Sequence, residues 1–288
     1  MAVILTGKPV ADALSADTAR RAGALRQRGV SPRLVILRCG ENEADGAYIR
    51  GAVKRGALCS VEVELRALPA DATAADVREA IREINGDGSV HGCLLLRPLP
   101  PHLRAEEDGI CACLDPRKDV DGMTPASAAG VYTGHGQGFA PCTAQACVEL
   151  LRYYGVEMAG KHAVVIGRSA VVGRPTAMLL LREDAAVTVC HSRTPDTTAL
   201  TRQADIIITA AGVRSSLTAA HVRPGQTVVD VSVNGDGSAL RGDAVFAAVE
   251  PVVDAITPVP GGVGAVTSSV LMAHTVRAAE LLTGEGRL

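Results

Sequence analysis

A turn of small residues between an apolar strand and a helix carries the clearest chemical pattern in the sequence. In AVVIGRSAVVGRPTAMLLL, Gly167 follows the strand and Gly173 opens the helix, with Ser169 between them. Backbone N–H groups at such a turn and the positive end of the helix bind a phosphate, and small residues let the backbone approach it. The spacing departs from G-x-G-x-x-G, so a tight turn without a ligand is the alternative. We predict that Gly167, Arg168, Ser169 and Gly173 bind a dinucleotide.

The end of the next strand indicates which dinucleotide is bound. An NAD site usually places an acidic residue there, about 20 residues after the first glycine, to bind the ribose hydroxyls. Here AVTVC runs into His191, Ser192, Arg193 and Thr194, without an acid. A hydroxyl and a guanidinium suit a 2′-phosphate, and Arg168 could add a second cation. The pattern favours NADP; NAD stays the alternative, because both arginines could point into solvent.

The composition indicates an aliphatic core and excludes several classes of protein. Hydrophobic residues make up 47% of the 288 residues and aromatic residues only 2%, which suits parallel strands buried between helices. So few aromatic residues argue against a stacking platform for single-stranded nucleic acid. The formal net charge is −2, from 29 basic and 31 acidic residues without long single-sign runs. We therefore expect neither a nucleic-acid partner nor a membrane surface.

The cysteines and the apolar runs indicate a reduced protein of the cytoplasm. The eight cysteines lack C-x2-C spacing and mostly lie in apolar runs, so we expect packing residues and no metal. No run approaches 18 apolar residues, and the amino terminus lacks the features of a signal peptide. We expect a cytoplasmic location.

Strand and helix patterns alternate along the whole chain, which predicts an α/β fold with mainly parallel strands. Apolar strands such as LVIL, HGCLLL, AVVIG and DIIIT are separated by helical stretches, the first running from Pro9 to about Gly29. Asp71 is the candidate N-cap of the helix within DATAADVREAIREINGD. The Gly-rich stretch TGHGQG suggests a domain boundary near residues 125–140.

Five motifs in order resemble the methylenetetrahydrofolate dehydrogenase/cyclohydrolase family: KDVDG (118–122), PCTAQA (141–146), GRSAVVGRP, CHSRT and PVPGGVGAVT (258–267). The resemblance extends over nearly the whole chain. It implies an α/β folate-binding domain (1–135) and a Rossmann-type NADP-binding domain (136–268) facing each other across a cleft. A helix at 269–288 would return to the first domain. The family also implies a homodimer and a tetrahydrofolate derivative as substrate.

The resemblance assigns roles to individual residues. Tyr48 would stack on the pterin, and Asp121 would accept hydrogen bonds from its polar edge, where two donors are adjacent. Leu96 and Pro98 align with the family's Q-L-P-L-P motif beside the substrate. The floor of the site near folate and nicotinamide would be formed by Pro260, Gly261, Gly262, Val263 and Gly264. Val233 would join Ser192 and Arg193 in binding the dinucleotide.

Two departures from the family pattern concern the hydrolytic half-reaction. The family's Y-x-x-x-K places a lysine four residues after the tyrosine, where this chain has Ala52, and the nearest lysine is Lys54. Six residues along a helix point away from the tyrosine's face. The glutamine of Q-L-P-L-P is replaced by Leu96.

We therefore predict a dehydrogenase with Tyr48, Asp121 and Lys54 as the catalytic candidates. Its cyclohydrolase activity is expected to be weak, absent or differently catalysed, with Arg50, Lys54 and Arg97 as candidates to replace the lost groups. The alternatives are a fully bifunctional enzyme that uses Lys54, and a folate- and NADP-binding protein without catalytic activity.

Overall fold

The computed structural model describes residues 1–41, 43–235 and 240–284. The chain forms two compact units. One, the three-stranded unit, consists of Asp12–Cys142 and the chain from Ser268 onward; the other, the six-stranded unit, consists of Met1–Ala11 and Thr143–Thr267. The first eleven residues thus belong with the second half of the chain.

Helices and strands alternate in both units. In chain order they are β1 (Val3–Ile4), α1 (Gly7–Arg26), β2 (Arg33–Cys39), α2 (Glu43–Cys59), β3 (Glu62–Leu68), α3 (Ala74–Gly86), β4 (Gly92–Leu95), α4 (Glu107–Cys111), α5 (Pro125–Thr133), α6 (Cys142–Tyr153), β5 (His162–Ile166), α7 (Gly173–Arg182), β6 (Ala186–Cys190), α8 (Thr197–Gln203), β7 (Ile206–Thr209), β8 (Thr227–Asp230), β9 (Asn234–Gly235), β10 (Leu240–Arg241), α9 (Phe246–Val249), β11 (Ala255–Ile256) and α10 (Gly264–Leu282).

The three-stranded unit is built on a parallel sheet with strand order β3-β2-β4. Its central strand β2 is buried from Leu34 to Leu37, because helices cover parallel strands on both faces. Gly92, at the start of β4, is in contact with Val120: a Cβ at this position would lie 2.9 Å from a Val120 methyl carbon. The sheet therefore packs tightly against the KDVDG segment.

The N-cap of helix α3 lies two residues after the predicted one. Thr73, not Asp71, caps the helix: its hydroxyl oxygen accepts a hydrogen bond from Asp76 N (3.3 Å), and the Asp76 carboxylate accepts one from Thr73 N (2.8 Å). This reciprocal pair satisfies two donors at the helix start, which Asp71 cannot do from its position. The prediction of Asp71 as N-cap is wrong.

The six-stranded unit contains a parallel sheet with the order β1-β11-β8-β7-β5-β6. Strand β6 lies on one side of β5, and β7 and β8 lie on the other. The strand order therefore reverses between β5 and β7, where dinucleotides bind at the carboxyl ends of the strands in folds of this kind. The strand predicted within QTVVDVSVN ends at Asp230, and the residues beyond it lead into the antiparallel pair β9–β10.

The core is aliphatic, as the composition predicts, and six of the eight free cysteines are buried in it. Within the described part of the chain, none of the helices is both long and apolar enough to span a bilayer.

Candidate active site

Helix α2 carries Tyr48 on the side of the helix that faces the core of the three-stranded unit. Ala52, Gly56 and Cys59 are buried on the same side, at the three- and four-residue spacing of one helix face. Burial raises the pKa of the Tyr48 hydroxyl far above its usual range, and the charge of Asp121 adds to the effect. Tyr48 therefore stays a neutral hydroxyl at physiological pH, close enough to Asp121 for the charge of the carboxylate to act on it.

Lys54 lies on the exposed side of the same helix, as does Arg50. The structure brings Tyr48 and Asp121 together but does not bring Lys54 to them. The position four residues after Tyr48 is occupied by Ala52, whose side chain is only 1% exposed.

The residues on either side of Asp121 are held firmly. Lys118 is buried, and its ammonium donates to the carbonyls of Ile84, Asn85 and Asp87 at the end of α3, at 2.7–3.0 Å. These carbonyls would otherwise lack partners at a helix end, and a cation there is favoured by the helix dipole. The contact fixes the start of the KDVDG segment.

Asp119 anchors the other part of the segment. Its buried carboxylate accepts hydrogen bonds from Met123 N (2.9 Å), Thr124 N (2.8 Å) and the Ser127 hydroxyl (2.5 Å) at the start of α5. Gly122 has φ of 67°, and a Cβ there would lie 2.5 Å from Pro141 N. The backbone that presents Asp121 is therefore fixed by buried contacts on both sides.

Burial raises the pKa of Asp121 to about 6, while a hydrogen bond with the Cys142 thiol and the charge of Arg97 oppose the shift. Its carboxyl group is therefore mostly ionised at neutral pH and can accept two hydrogen bonds from a pair of adjacent donors. The thiol sulfur also lies 3.2 Å from Val120 O, so its single proton can be donated either to this carbonyl or to Asp121. Burial raises the pKa of this thiol well above its usual range. The thiol is thus an uncharged hydrogen-bond donor.

His274 on α10 completes this buried cluster. Its Nδ1 lies 2.9 Å from Val120 O, and burial lowers its pKa to about 4. A neutral imidazole that donates from Nδ1 satisfies the Val120 carbonyl next to Asp121. Sequence reasoning missed His274 and Cys142 as members of the site, because their roles depend on contacts between residues far apart in the chain.

Leu96 and Pro98 line a cavity of about 420 Å³ at the carboxyl end of β4. Its basic lining residues are Arg38, His102 and Arg104, and its acidic lining residues are Glu41 and Asp45. The loop is held in place by Glu107, whose carboxylate accepts from Leu99 N (2.9 Å) and lies 4.0 Å from the Arg97 guanidinium. Leu96 offers only an apolar side chain to a ligand here.

The dinucleotide turn in the six-stranded unit requires its glycines. Gly167 has φ of 125°, and a Cβ there would lie 2.3 Å from Ala210 O. A Cβ on Gly173 would lie 2.2 Å from Gly167 O, so the first turn of α7 lies directly against the end of β5. The Ser169 hydroxyl accepts from Val172 N (3.1 Å) and Gly173 N (3.3 Å) and holds the turn. The turn thus needs both glycines for contacts with the protein's own backbone, and phosphate binding at this turn stays a prediction.

Arg168, Ser192 and Arg193 are exposed at the same end of the sheet. The turn after β6 is closed by hydrogen bonds from His191 N to the Thr194 hydroxyl (2.9 Å) and from Arg193 N to His191 Nδ1 (3.1 Å). The side chains of Ser192 and Arg193 are thus available to a ligand, on a turn that carries no acid.

Val233 and the Pro260–Gly264 segment line a second cavity, of about 310 Å³. Gly261 has φ of 98°, and its carbonyl accepts from Gly7 N at 2.7 Å. A Cβ on Gly7 would lie 2.1 Å from Gly262 O, so the segment forms a closely packed floor. Val233 thus lines the same cavity as Pro260, Gly261, Gly262, Val263 and Gly264.

Comparisons with known proteins identify the family of the chain. Family models match two stretches: residues 5–121 match the catalytic domain of tetrahydrofolate dehydrogenase/cyclohydrolase, and residues 141–283 match its NAD(P)-binding domain. The Bifunctional protein FolD of Carboxydothermus hydrogenoformans is 44% identical over 287 residues, 99% of each chain.

Two solved structures are also similar over the whole chain. The bifunctional FolD of Campylobacter jejuni has a TM-score of 0.93 and 35% identity, covering 98% of this chain and 99% of that one. The FolD of Trypanosoma brucei, complexed with NADP cofactor and inhibitor, has a TM-score of 0.90 and 34% identity, covering 97% and 98%. These similarities confirm the predicted two-domain α/β fold, and the chain belongs to the tetrahydrofolate dehydrogenase/cyclohydrolase family.

Proposed function

We propose that this protein is an NADP-dependent 5,10-methylenetetrahydrofolate dehydrogenase, which forms 5,10-methenyltetrahydrofolate and NADPH. The observation that carries the proposal is the fixed, half-buried and ionised carboxylate of Asp121, close to the Tyr48 hydroxyl. The chain also has a glycine-containing turn between β5 and α7, and no acid in the turn that follows β6. The names of the relatives support the same reaction, and the complex of the Trypanosoma brucei protein supports NADP.

The residues of the chain mainly position the reactants. The Asp121 carboxylate accepts hydrogen bonds from the pterin amino group and the adjacent ring N–H, and the Tyr48 ring stacks on the pterin. When bound, NADP supplies the nicotinamide carbon that accepts the hydride. The C–H bond of the one-carbon unit breaks with its electron pair, and the remaining charge spreads over the two folate nitrogens. The step needs no general base, because no proton is removed.

Hydrolysis of the methenyl product makes a different demand on the site, because it involves attack by water. Attack by water benefits from a positioned base, and the chain has Ala52 and Leu96 where the family has a lysine and a glutamine. Lys54 is exposed on a different face of α2 from Tyr48. We therefore propose that cyclohydrolase activity is weak or absent. The second candidate, a bifunctional enzyme, is favoured by the names of the relatives and by the charge of Arg97 near Asp121.

The same proposal includes a homodimer in the cytoplasm, as the resemblance to the family implies. A chain of 29.6 kDa would then elute with twice that mass in size-exclusion chromatography with light scattering. A mass of one chain at micromolar concentration would contradict the dimer.

The first test is an assay of the purified protein with 5,10-methylenetetrahydrofolate and either NADP or NAD. Reduced cofactor and methenyl product are followed separately. We expect NADPH to form while the methenyl product accumulates and decays only at its rate in buffer. Faster decay would support the bifunctional candidate. Failure to reduce either cofactor would reject the dehydrogenase.

A further inference from the structure

Asp243 is a fully buried carboxylate that holds together the loops at the carboxyl ends of β7 and β8. It is 0% exposed, and it lies between β10 and α9, far in the chain from the turn between β5 and α7. Its position matters because those strand ends lie on the β7 side of the point where the strand order reverses.

The carboxylate of Asp243 accepts hydrogen bonds from both loops. After β7 it binds Ala211 N (2.8 Å) and Gly212 N (3.2 Å), and after β8 it binds the Ser232 hydroxyl (2.8 Å) and Asn234 Nδ2 (3.1 Å). A fifth bond, from the hydroxyl of Thr209 at 3.1 Å, comes from the last residue of β7. Five donors on one buried carboxylate tie the two loops together, because a buried carboxylate is costly unless its oxygens are hydrogen-bonded.

Asp230 extends this network towards the cavity lined by Val233. Its carboxylate accepts from Asp243 N (3.1 Å), Ala244 N (2.8 Å) and Ser232 N (3.2 Å), and Asp230 itself lines the cavity. Burial raises the pKa of Asp230 to about 6. Gly242 is required here, since a Cβ would lie 2.0 Å from the Asp230 carboxylate.

The loop after β7 also touches the dinucleotide turn. Ala210, next to Ala211, places its carbonyl against Gly167, where a Cβ would lie at 2.3 Å. The Asp243 side chain therefore joins the loop after β7 to the loop that carries Val233, and the loop after β7 in turn contacts the turn after β5.

The order of the strands tells which half of the dinucleotide these loops meet. The residues after β6 bind the adenosine ribose in this fold, so the adenosine half lies on the β6 side. The other half then crosses the reversal point to the side of β7 and β8. Resting on the proposed function, we infer that Asp243 is a positioning residue, which sets the loops that hold the nicotinamide half of NADP for hydride transfer.

The variant Asp243→Asn tests this role. Four of the five hydrogen bonds end on Oδ2 and the one from Asn234 ends on Oδ1. In either orientation the amide nitrogen of the variant faces at least one of these donors, and the negative charge is lost, so we expect kcat with NADP to fall about 10- to 100-fold. The inhibition constant of adenosine 2′,5′-bisphosphate, which probes only the adenosine half, should stay within about twofold of the wild-type value. Ser232→Ala removes one of the five donors and should lower kcat in the same direction by a smaller factor.

The control is Asp254→Asn, which removes an exposed carboxylate that accepts from Gly225 N (2.9 Å) before β8. Its kcat should match the wild type. An unchanged kcat in Asp243→Asn and Ser232→Ala would overturn the inference. So would an equal loss of adenosine 2′,5′-bisphosphate binding, which indicates a general structural role. Inactive wild-type protein would instead contradict the proposed function.

Discussion

At the scale of single residues, burial decides what Asp121 can do. Besides burial, three groups of the three-stranded unit influence its charge: Cys142 at the start of α6, Arg97 after β4 and the neighbouring Asp119. Burial is the largest influence and brings the pKa of the carboxyl to about 6. Asp121 is thus an ionised acceptor at pH 7.5 and a mostly neutral carboxyl at pH 5.

The first prediction follows from this titration. Folate binding should weaken as the pH falls through 6, because protonation removes an acceptor for the two pterin donors. The dissociation constant of the methenyl product, measured from pH 5 to 8, should rise at the acidic end. In Asp121→Asn it should be high throughout and nearly independent of pH. A wild-type constant that does not change across this range would contradict the role of Asp121.

The second prediction concerns stability at the same residue. A folded-state pKa raised above the usual 3.8 means that Asp121 favours the folded state below pH 3.8 and loses this contribution as the pH rises through about 6. Asp121→Asn should therefore increase the free energy of unfolding at pH 8, by on the order of 2 kcal/mol, and change it little at pH 4. Urea denaturation at the two pH values measures the difference.

Asp115 provides the control of opposite sign. A hydrogen bond with the Arg117 side chain lowers its pKa, so its contribution to stability is present above the usual pKa and lost at lower pH. Asp115→Asn should decrease stability at pH 8. If both variants changed the unfolding free energy at pH 8 in the same direction, the effect would not come from burial of Asp121.

At the scale of elements, the phase of α2 separates Lys54 from the site. The third prediction is that Lys54→Ala changes neither dehydrogenase nor cyclohydrolase rate by more than about twofold. The double variant Ala52→Lys with Leu96→Gln restores the lysine and the glutamine of the family pattern. Methenyl product should then decay faster with this variant than in buffer alone. Methenyl absorbance measures both. Loss of hydrolysis in Lys54→Ala would instead favour the bifunctional candidate.

The fourth prediction concerns the junction of β5 and α7. Gly173→Ala would force a Cβ to within 2.2 Å of Gly167 O, a backbone atom that cannot move without shifting the strand. We expect a loss of about 1–3 kcal/mol in unfolding free energy and at least tenfold weaker NADP binding. Denaturation and cofactor titration measure the two effects. The control is Gly51→Ala, because Gly51 lies within a helix and a Cβ there would have no neighbour within 4 Å. Gly155→Ala is unsuitable as a control, because the φ of 66° at Gly155 would itself strain an alanine.

The sequence predicts elements of this fold where a long pattern repeats. The apolar strands β2, β5, β6 and β7 and the amphipathic α3 are found as predicted. The strands β1 and β11 have two residues each, too short for any period to indicate them. The N-cap of α3 was misplaced because Asp and Thr both cap helices, and only the reciprocal bond to Asp76 selects Thr73.

The same limit applies to the candidate site. Tyr48, Asp121 and the dinucleotide turn lie in contiguous motifs, so the sequence indicates them. The partner of Val120, His274, lies 154 residues away, and the donors to Asp243 are residues that precede it in the chain by 9 to 34 positions. Such roles arise only when the fold brings distant residues together.

At the scale of the whole molecule, the end of the chain completes a unit formed mostly by its first half. On α10, Met272 lies against Gly56 of α2, and a Cβ on Gly92 of β4 would lie 3.2 Å from the Thr275 hydroxyl oxygen. The Arg21 guanidinium of α1 donates to both carboxylate oxygens of Glu280, at 2.9 and 2.6 Å. Helix α10 therefore contributes buried residues to the core of the three-stranded unit.

The last prediction is that a chain ending at residue 267 cannot keep the three-stranded unit folded, although the six-stranded unit retains all its residues. The deletion removes Val270, Leu271, Met272 and Val276, each at most 2% exposed. Burial of each such side chain contributes about 1.5–3 kcal/mol, so together they approach the whole unfolding free energy of an ordinary domain. The truncated protein should still bind adenosine 2′,5′-bisphosphate but lose folate binding and show proteolysis between residues 12 and 142. Arg21→Ala, which leaves the apolar contacts of α10 in place, should remain folded, because a partly exposed ion pair contributes little. Folate binding by the truncated chain would show that α10 only covers a unit that is stable without it.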